Sequence, residues 1–170
     1  VLVFVDPRFD TDPARGRWDH RVLTAVEPDD VHQRTRVAWK EPLGAATLVK
    51  PLSPTTLLLG VEPEVADDAR RSLEAGRLFR LEAPPRTRAD GVRTLSLGEH
   101  TFPILKEKAD GILVVSEEAI LEAERLLFTR TKQVVEPTGA LPLAAVLEHG
   151  ARLPQTLALL LSGGNRDFSP

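Results

Sequence analysis

The chain has 170 residues, of which 42% are hydrophobic and 28% charged, and it has a formal net charge of -3 and no cysteine. This length suffices for one domain with a sizeable core, and this charge gives no electrostatic reason to expect nucleic acid or an anionic membrane as a partner. The lack of cysteine excludes disulfides and thiolate chemistry, and without a membrane-length apolar run or a signal-peptide pattern we expect a cytoplasmic location.

The first 40 residues differ in character from the remainder. Residues 1–5 (VLVFV) have the composition of a short strand, but residues 6–40 show no sustained helical or strand period and hold both tryptophans and six arginines. We predict an atypical, poorly ordered or altered segment over residues 1–40. Because the sequence begins with Val1 and contains no methionine, we also expect the chain to be a piece of something longer.

From residue 41 onward, helix-like and strand-like segments alternate. Residues 42–50 predict a helix that Pro51 and Pro54 end, and residues 56–62 (TLLLGVE) predict a buried strand. Residues 66–76 predict a second helix, since acidic residues open it and a glycine closes it.

The alternation continues to the end of the chain. Residues 111–115 (GILVV) predict a strand, followed by a helix over 117–131 that Ser116 caps and a helix over 139–149 that Thr138 caps. Residues 157–161 predict the last strand. Continuously apolar strands between helices are typical of an α/β fold in which helices cover both faces of a parallel sheet.

Polar and glycine residues lie at the carboxyl ends of three of these predicted strands. They are Glu62-Pro63-Glu64, Ser116 and Ser162-Gly163-Gly164-Asn165. Because α/β sheets bind ligands outside the carboxyl ends of their strands, these are candidate ligand positions.

Five segments in order resemble the threonine/serine dehydratases and serine racemases. The segments are VEPEVADDA (61–69), ADGVRTLSLGEHTFPI (89–104), VSEEAILEAERLL (115–127), VVEPTGA (134–140) and LSGGNRD (161–167). Each motif alone is weak, but five in order with compatible spacing are specific. The resemblance covers residues 45–167 and implies a fold-type-II pyridoxal-phosphate enzyme of the tryptophan-synthase-β type. Residues 41–170 would be the C-terminal part of its large cofactor-binding domain.

The resemblance also implies a reaction and a cofactor site. The family reaction is β-elimination of water from a small hydroxy amino acid, giving a 2-oxo acid and ammonia, or racemisation of serine. The serine of the SGGN motif is implied to hydrogen-bond the pyridine nitrogen of pyridoxal phosphate, and a neutral hydroxyl there makes the ring a weaker electron sink, which suits elimination. The implied cofactor-binding residues are Gly91, Glu136, Ser162, Gly163, Gly164 and Asn165.

A divalent cation site is implied in the same way. Glu62, Asp68 and the backbone carbonyl of Ala66 match the cation ligands of the racemase and dehydratase branch. Oxygen ligands of this kind fit Mg²⁺ or Ca²⁺. The residues by themselves leave another interpretation open, in which the two acids only stabilise a helix N-terminus through its dipole.

Two family features have no counterpart in this sequence. None of the five lysines sits in the motif of the lysine that binds the cofactor covalently, and the glycine-rich phosphate loop aligns with residues 37–40 (VAWK). Those side chains would prevent backbone amides from wrapping a phosphate. The resemblance thus fades at about the place where the composition also changes. One hypothesis for these two observations is that residues 10–40 come from an altered or out-of-frame stretch, or from a truncated relative.

We therefore expect this chain to be inactive alone, although its family is one of ammonia-lyases and racemases. The alternative is a non-catalytic pairing or ligand-binding remnant that acts with a full-length homologue. The sequence also leaves homo-oligomerisation and the choice between serine and threonine open.

Overall fold

The computed structural model describes residues 2–5, 43–52, 54–153 and 157–164. Most of the atypical segment predicted over residues 1–40 lies outside these ranges, as does Asn165. The elements in chain order are β1 (Leu2–Val5), α1 (Leu43–Leu52), β2 (Leu57–Pro63), a 3₁₀ turn (Glu64–Ala66), α2 (Asp68–Ala75), a 3₁₀ turn (Asp90–Val92), α3 (Thr101–Lys108), β3 (Gly111–Val115), α4 (Glu117–Leu126), a π turn (Leu127–Thr131), α5 (Pro137–His149), a 3₁₀ turn (Gly150–Arg152) and β4 (Ala158–Leu159).

The four strands form one sheet in the order β3-β2-β1-β4. β2 and β3 are parallel, with Leu59 opposite Gly111 and Pro63 opposite Val115, as the α/β prediction requires. β1 runs antiparallel to both β2 and β4. The sequence did not indicate this reversal, because a short apolar run carries no information about strand direction.

The core is built from small and branched aliphatic side chains, in keeping with an aromatic content of only 5%. β2 and β3 contribute Val61 and Val115, and α4 and α5 contribute most of the remainder. α5 contacts both of these strands as well as α4. Within the described ranges, every helix is too short or too polar to cross a bilayer.

The predicted helix ends are partly confirmed. Gly76 ends α2 in the left-handed conformation (φ 66°), and its N–H donates to the carbonyl of Leu73, which confirms the glycine cap. The prediction that Pro51 stops α1 was wrong, because the helix continues to Leu52 with Pro51 in its last turn. The fixed φ of proline is compatible with a helix, so at this position it removes only one hydrogen bond.

Ser116 caps α4 as predicted, since its Oγ accepts a hydrogen bond from the backbone N–H of Ala119 at 3.2 Å. The α-helical part is shorter than the predicted 117–131, because the last five residues form a π turn. There the hydroxyl of Thr131 donates to the carbonyl of Leu127 at 2.6 Å, and Lys132 ends the turn with a φ of 62°.

The predicted start of the following helix was wrong. α5 begins at Pro137, with Glu136 in the capping position, rather than at Gly139 with Thr138 as the cap. Proline is well suited to the first helical position because its missing N–H would have no intrahelical partner there. The hydroxyl of Thr138 is therefore not used as a cap. β4 is also shorter than predicted, covering Ala158–Leu159 of the predicted 157–161.

Candidate functional site

The carboxyl ends of three strands lie at the same edge of the sheet. β3 is parallel to β2, and β4 has the same direction as β2 because both are antiparallel to β1. The segments that follow these strands at this edge are Glu64–Ala66, Ser116 and the stretch from Leu161 to Gly164. This is the edge at which α/β sheets bind ligands.

The Ser162-Gly163-Gly164 segment lies on the N-terminus of α5. The backbone N–H of Glu136 donates to the carbonyl of Gly163 at 3.2 Å. A Cβ on Gly139 would overlap the carbonyl oxygen of Ser162 and lie 2.7 Å from Cγ1 of Val135. The strand end can therefore approach the helix only because residue 139 has no side chain.

The two glycines of the SGGN motif are also required by close contacts. Gly163 has a φ of 86°, which favours glycine, and a Cβ there would overlap Oε1 of Glu136. A Cβ on Gly164 would lie 3.0 Å from the carbonyl oxygen of Val134. Both glycines thus fit the strand end against the Val134–Glu136 segment.

Gly91 also contacts this end of α5. Its backbone N–H donates to Oγ1 of Thr138 at 3.0 Å, and a Cβ on Gly91 would lie 2.9 Å from that oxygen. The structure therefore brings together five of the six predicted cofactor-binding residues. We call this group the α5 N-terminal cluster; it consists of Gly91, Glu136, Thr138, Gly139, Ser162, Gly163 and Gly164.

Sequence reasoning missed Thr138 and Gly139 as members of this cluster. A glycine in the first turn of a helix costs about 1 kcal/mol relative to alanine, so it indicates a packing or functional constraint. That signal was present at Gly139. Nothing local distinguished Thr138 from an ordinary capping residue.

The predicted cation ligands lie at the end of β2 and the start of α2. The carboxylate of Glu62 accepts hydrogen bonds from the backbone N–H groups of Ala69 at 3.2 Å and Arg70 at 3.1 Å. Asp68 is only 3% exposed. Glu62 thus closes the first turn of α2, as in the alternative interpretation of these acids, and the cation site stays a prediction.

Both carboxyl groups have raised pKa values. Burial raises the pKa of Glu62 to about 8, with a further contribution from the nearby charge of Asp68. Burial raises the pKa of Asp68 to about 6, against the opposing effect of backbone N–H groups. In the described part of the chain, no three Asp, Glu, His or Cys side chains lie close enough to hold a metal. The predicted site has only two such side chains, because its third ligand is a main-chain carbonyl.

The four described lysines make their contacts away from the α5 N-terminal cluster. Lys50 donates to Asp110 and to the carbonyl of Thr56, Lys106 to the carbonyl of Gly76, Lys108 to Glu107 and Lys132 to the carbonyl of Thr129. Each amine is thus bonded to a group outside the cluster.

Comparisons with known proteins identify the family of this chain. The profile of the family described as "Pyridoxal-phosphate dependent enzyme" matches residues 41–163. An L-threo-3-hydroxyaspartate ammonia-lyase from Pseudomonas sp is 42% identical over 126 residues, which cover 74% of this chain and 39% of that protein. The corresponding enzyme of Saccharomyces cerevisiae is 39% identical and is covered to 38%. The chain thus spans about two fifths of the length of these curated relatives.

Solved structures give the same result. A T.th. threonine deaminase superposes with a TM-score of 0.74 and 88% sequence identity, over 75% of this chain and 47% of that one. Maize serine racemase superposes with a TM-score of 0.68 and 33% identity, over 74% and 40%. These matches confirm the resemblance and the fold class. The chain therefore belongs to the family of pyridoxal-phosphate dependent enzymes.

Proposed function

We propose that the α5 N-terminal cluster is the part of a pyridoxal-phosphate site that receives the pyridine side of the cofactor. The observation that carries this proposal is that the Ser162–Gly164 segment and Gly91 both contact the N-terminal end of α5. The side chain of Ser162 is half-buried, and among the described residues its hydroxyl has no hydrogen-bond partner. A partly exposed hydroxyl held by a fixed backbone suits recognition of a ring nitrogen.

Each residue has a separate task in this proposal. When bound, pyridoxal phosphate supplies an electron sink that weakens the bonds at the Cα atom of an amino acid. Ser162 hydrogen-bonds the ring nitrogen without placing a full charge beside it. Gly163 and Gly164 allow the backbone to hold Ser162 in this position, because a Cβ on Gly163 would overlap Glu136 and one on Gly164 would crowd the carbonyl of Val134.

The substrate class follows from what the relatives share. They are named for threonine, serine and L-threo-3-hydroxyaspartate, and all three are small amino acids with a hydroxyl on Cβ. We infer that the complete enzyme acts on such a substrate, by elimination of water and release of ammonia or by racemisation. The N-terminal part of the family fold would provide the lysine that binds the cofactor covalently.

A titration of the ¹⁵N-labelled 170-residue chain with pyridoxal phosphate tests this proposal. We expect amide shifts at Gly91, Ser162 and Gly163, and we expect the Ser162→Ala variant to reduce them. After borohydride reduction and peptide mapping we expect no adduct on one specific lysine, because the described lysines are bonded elsewhere. The same sample should release no ammonia from serine or threonine.

The matched control is Ser96→Ala, which removes a half-buried hydroxyl from the loop before α3. Inorganic phosphate is added in a second series, so that simple anion binding is recognised. If pyridoxal phosphate shifts none of the cluster amides, or shifts them equally in Ser162→Ala, the cluster does not hold the cofactor. A specific lysine adduct would contradict the expectation that this chain lacks the cofactor-binding lysine.

The cation site gives a separate prediction. We expect Mg²⁺ or Ca²⁺ to stabilise the chain, by about 2.7 kcal/mol of unfolding free energy at a concentration one hundred times the dissociation constant. The increase should be larger at pH 8 than at pH 6. The carboxyl groups of Glu62 and Asp68, with pKa values of about 8 and about 6, become more ionised over this range.

Thermal unfolding of the chain with and without each cation measures this effect. Glu62→Gln should abolish the cation-dependent increase. Glu122→Gln should retain it, because Glu122 is a surface carboxylate paired with Arg125 on α4. An equal increase in both variants would place any bound cation elsewhere, and Glu62 would then be only the cap of α2.

A further inference from the structure

The turn that carries Gly91 is held by an unbroken set of hydrogen bonds. Every backbone N–H from residue 88 to residue 93 has an acceptor. The acceptors, in chain order, are the carboxylate of Glu117, the hydroxyl of Thr87, the carbonyl of Arg88, the hydroxyl of Thr138, the carbonyl of Ala89 and the carbonyl of Asp90. Only Glu117 and Thr138 belong to other elements, so these two side chains attach the turn to α4 and α5.

Of these two attachments, Thr138 is the one within the α5 N-terminal cluster. Its Oγ1 accepts from the N–H of Gly91 at 3.0 Å, and it lies where a Cβ on residue 91 would come within 2.9 Å. The hydrogen bond and the missing side chain therefore work together. Glycine at 91 allows the approach, and the hydroxyl at 138 fixes it.

The first turn of α5 contacts both segments that carry predicted cofactor-binding residues, the Gly91 turn and residues 162–164. Glu136 donates its backbone N–H to the carbonyl of Gly163, and Gly139 is in close contact with the carbonyl of Ser162. Thr138 lies between them in the chain and holds Gly91. A shift of the Gly91 turn away from Thr138 would change the separation of Gly91 and Ser162.

We propose that Thr138 is a positioning residue that fixes Gly91 relative to Ser162 in the cofactor site. That the separation of Gly91 and Ser162 matters for binding pyridoxal phosphate rests on the proposed function. The hydrogen bond from Gly91 to Thr138 does not depend on that function. Threonine at 138 thus serves a contact remote in sequence instead of the helix cap that its position suggests. Its hydroxyl is the group that the position requires.

Amide hydrogen exchange in the full 170-residue chain, without cofactor, tests this proposal. Thr138→Val keeps the shape of the side chain but leaves the N–H of Gly91 without an acceptor. We expect the amides of residues 90–92 to exchange about 5- to 150-fold faster, because leaving this partly buried donor unsatisfied costs about 1–3 kcal/mol. Thr138→Ser keeps the acceptor and should restore slow exchange.

Thr129→Val is the matched control. The exposed hydroxyl of Thr129 donates to the carbonyl of Arg125 in the same turn of helix, so its loss should leave exchange at residues 90–92 unchanged. The proposal is overturned if Thr138→Val exchanges like the wild type, or if Thr138→Ser is as fast as Thr138→Val. Should Thr138→Val fail to fold by circular dichroism, an unprotected Gly91 amide in the wild type overturns it equally.

Addition of pyridoxal phosphate separates this proposal from the proposed function. If the cofactor slows exchange of the Gly91 amide in the wild type but not in Thr138→Val, both the cofactor assignment and the role of Thr138 are supported. If it has no effect on the wild type, the cofactor assignment fails. In that case the experiment without cofactor still decides whether Thr138 holds Gly91.

Discussion

Joining residues 41–170 to the N-terminal portion of the T.th. threonine deaminase should give an enzyme that releases ammonia from threonine. The 170-residue chain alone should release none. The two proteins are 88% identical over 75% of this chain, so the interface between the two portions should be retained in the fusion. The added portion would bring the cofactor-binding lysine and the phosphate loop, which the family resemblance places there.

The expected gain is large because proton transfer by a positioned base alone contributes about 10²- to 10⁴-fold to a rate. We expect turnover in the usual enzymatic range of about 1–10³ per second, against none detectable for the chain. Release of ammonia and 2-oxo acid is measured in a coupled assay on samples of equal cofactor content. In the fusion, Ser162→Ala should weaken cofactor binding by about 10-fold, the value of one hydrogen bond, whereas Ser96→Ala should not.

Two results would contradict this expectation. Ammonia release by the 170-residue chain would mean that one of its own lysines completes the site. A folded, cofactor-loaded fusion without activity would favour the alternative, in which residues 41–170 have become a non-catalytic remnant of the family. Sedimentation of the chain mixed with the full-length deaminase would then measure whether it pairs with a homologue.

Much of the fold could be predicted from the sequence because its signals are local. The parallel pair β2 and β3 follows from two continuous apolar runs, and the caps at Ser116 and Gly76 follow from residue types with known preferences. The direction of β1 could not be predicted in this way. It depends on pairing with strands more than 50 residues away, on which a run of four apolar residues carries no information.

In the candidate site, too, sequence motifs could be interpreted but contacts between distant residues could not be predicted. Glu136, Gly91 and the SGGN motif were predicted to bind the cofactor through the family resemblance, and the structure brings the described members to one end of α5. Thr138 was misinterpreted because a threonine before a glycine and an apolar run satisfies the local rule for a cap. Its actual partner is the N–H of Gly91, 47 residues earlier in the chain. A contact at that separation leaves no local pattern.

The cation site illustrates a limit of a different kind. Glu62 and Asp68 match a ligand pattern, and the structure shows that the same carboxylate of Glu62 closes the first turn of α2. These two roles do not exclude each other, because a carboxylate oxygen has lone pairs for both an N–H donor and a cation. Neither role could be chosen from the sequence, because both favour acids at this position.

Replacing Gly139 by alanine should be the most damaging single-methyl change in the α5 N-terminal cluster. The added Cβ would overlap the carbonyl oxygen of Ser162, which is backbone and cannot rotate away, and would crowd Val135. The strand end must then move away from α5 and carry the Ser162 hydroxyl with it. Because a displacement of about 1 Å can cost about 10²-fold in rate, we expect a loss of this size in kcat/KM of the fusion enzyme.

The effect on folding should be smaller than the effect on activity. Overpacking costs about 1–3 kcal/mol, but alanine is a better helix former than glycine by about 1 kcal/mol, so the two terms partly cancel. We expect urea unfolding of the 170-residue chain to show a loss of about 0–2 kcal/mol. A large loss of activity with a small loss of stability is therefore the signature of a displaced Ser162.

Gly150→Ala is the control for this change, because it adds the same methyl group just after the other end of α5. A Cβ there would meet only Cγ1 of Val146, at an ordinary contact distance of 4.0 Å. We expect this variant to keep full activity in the fusion. If Gly139→Ala behaves like Gly150→Ala in both assays, the strand end can shift without consequence. The contact with α5 would then not be what positions Ser162.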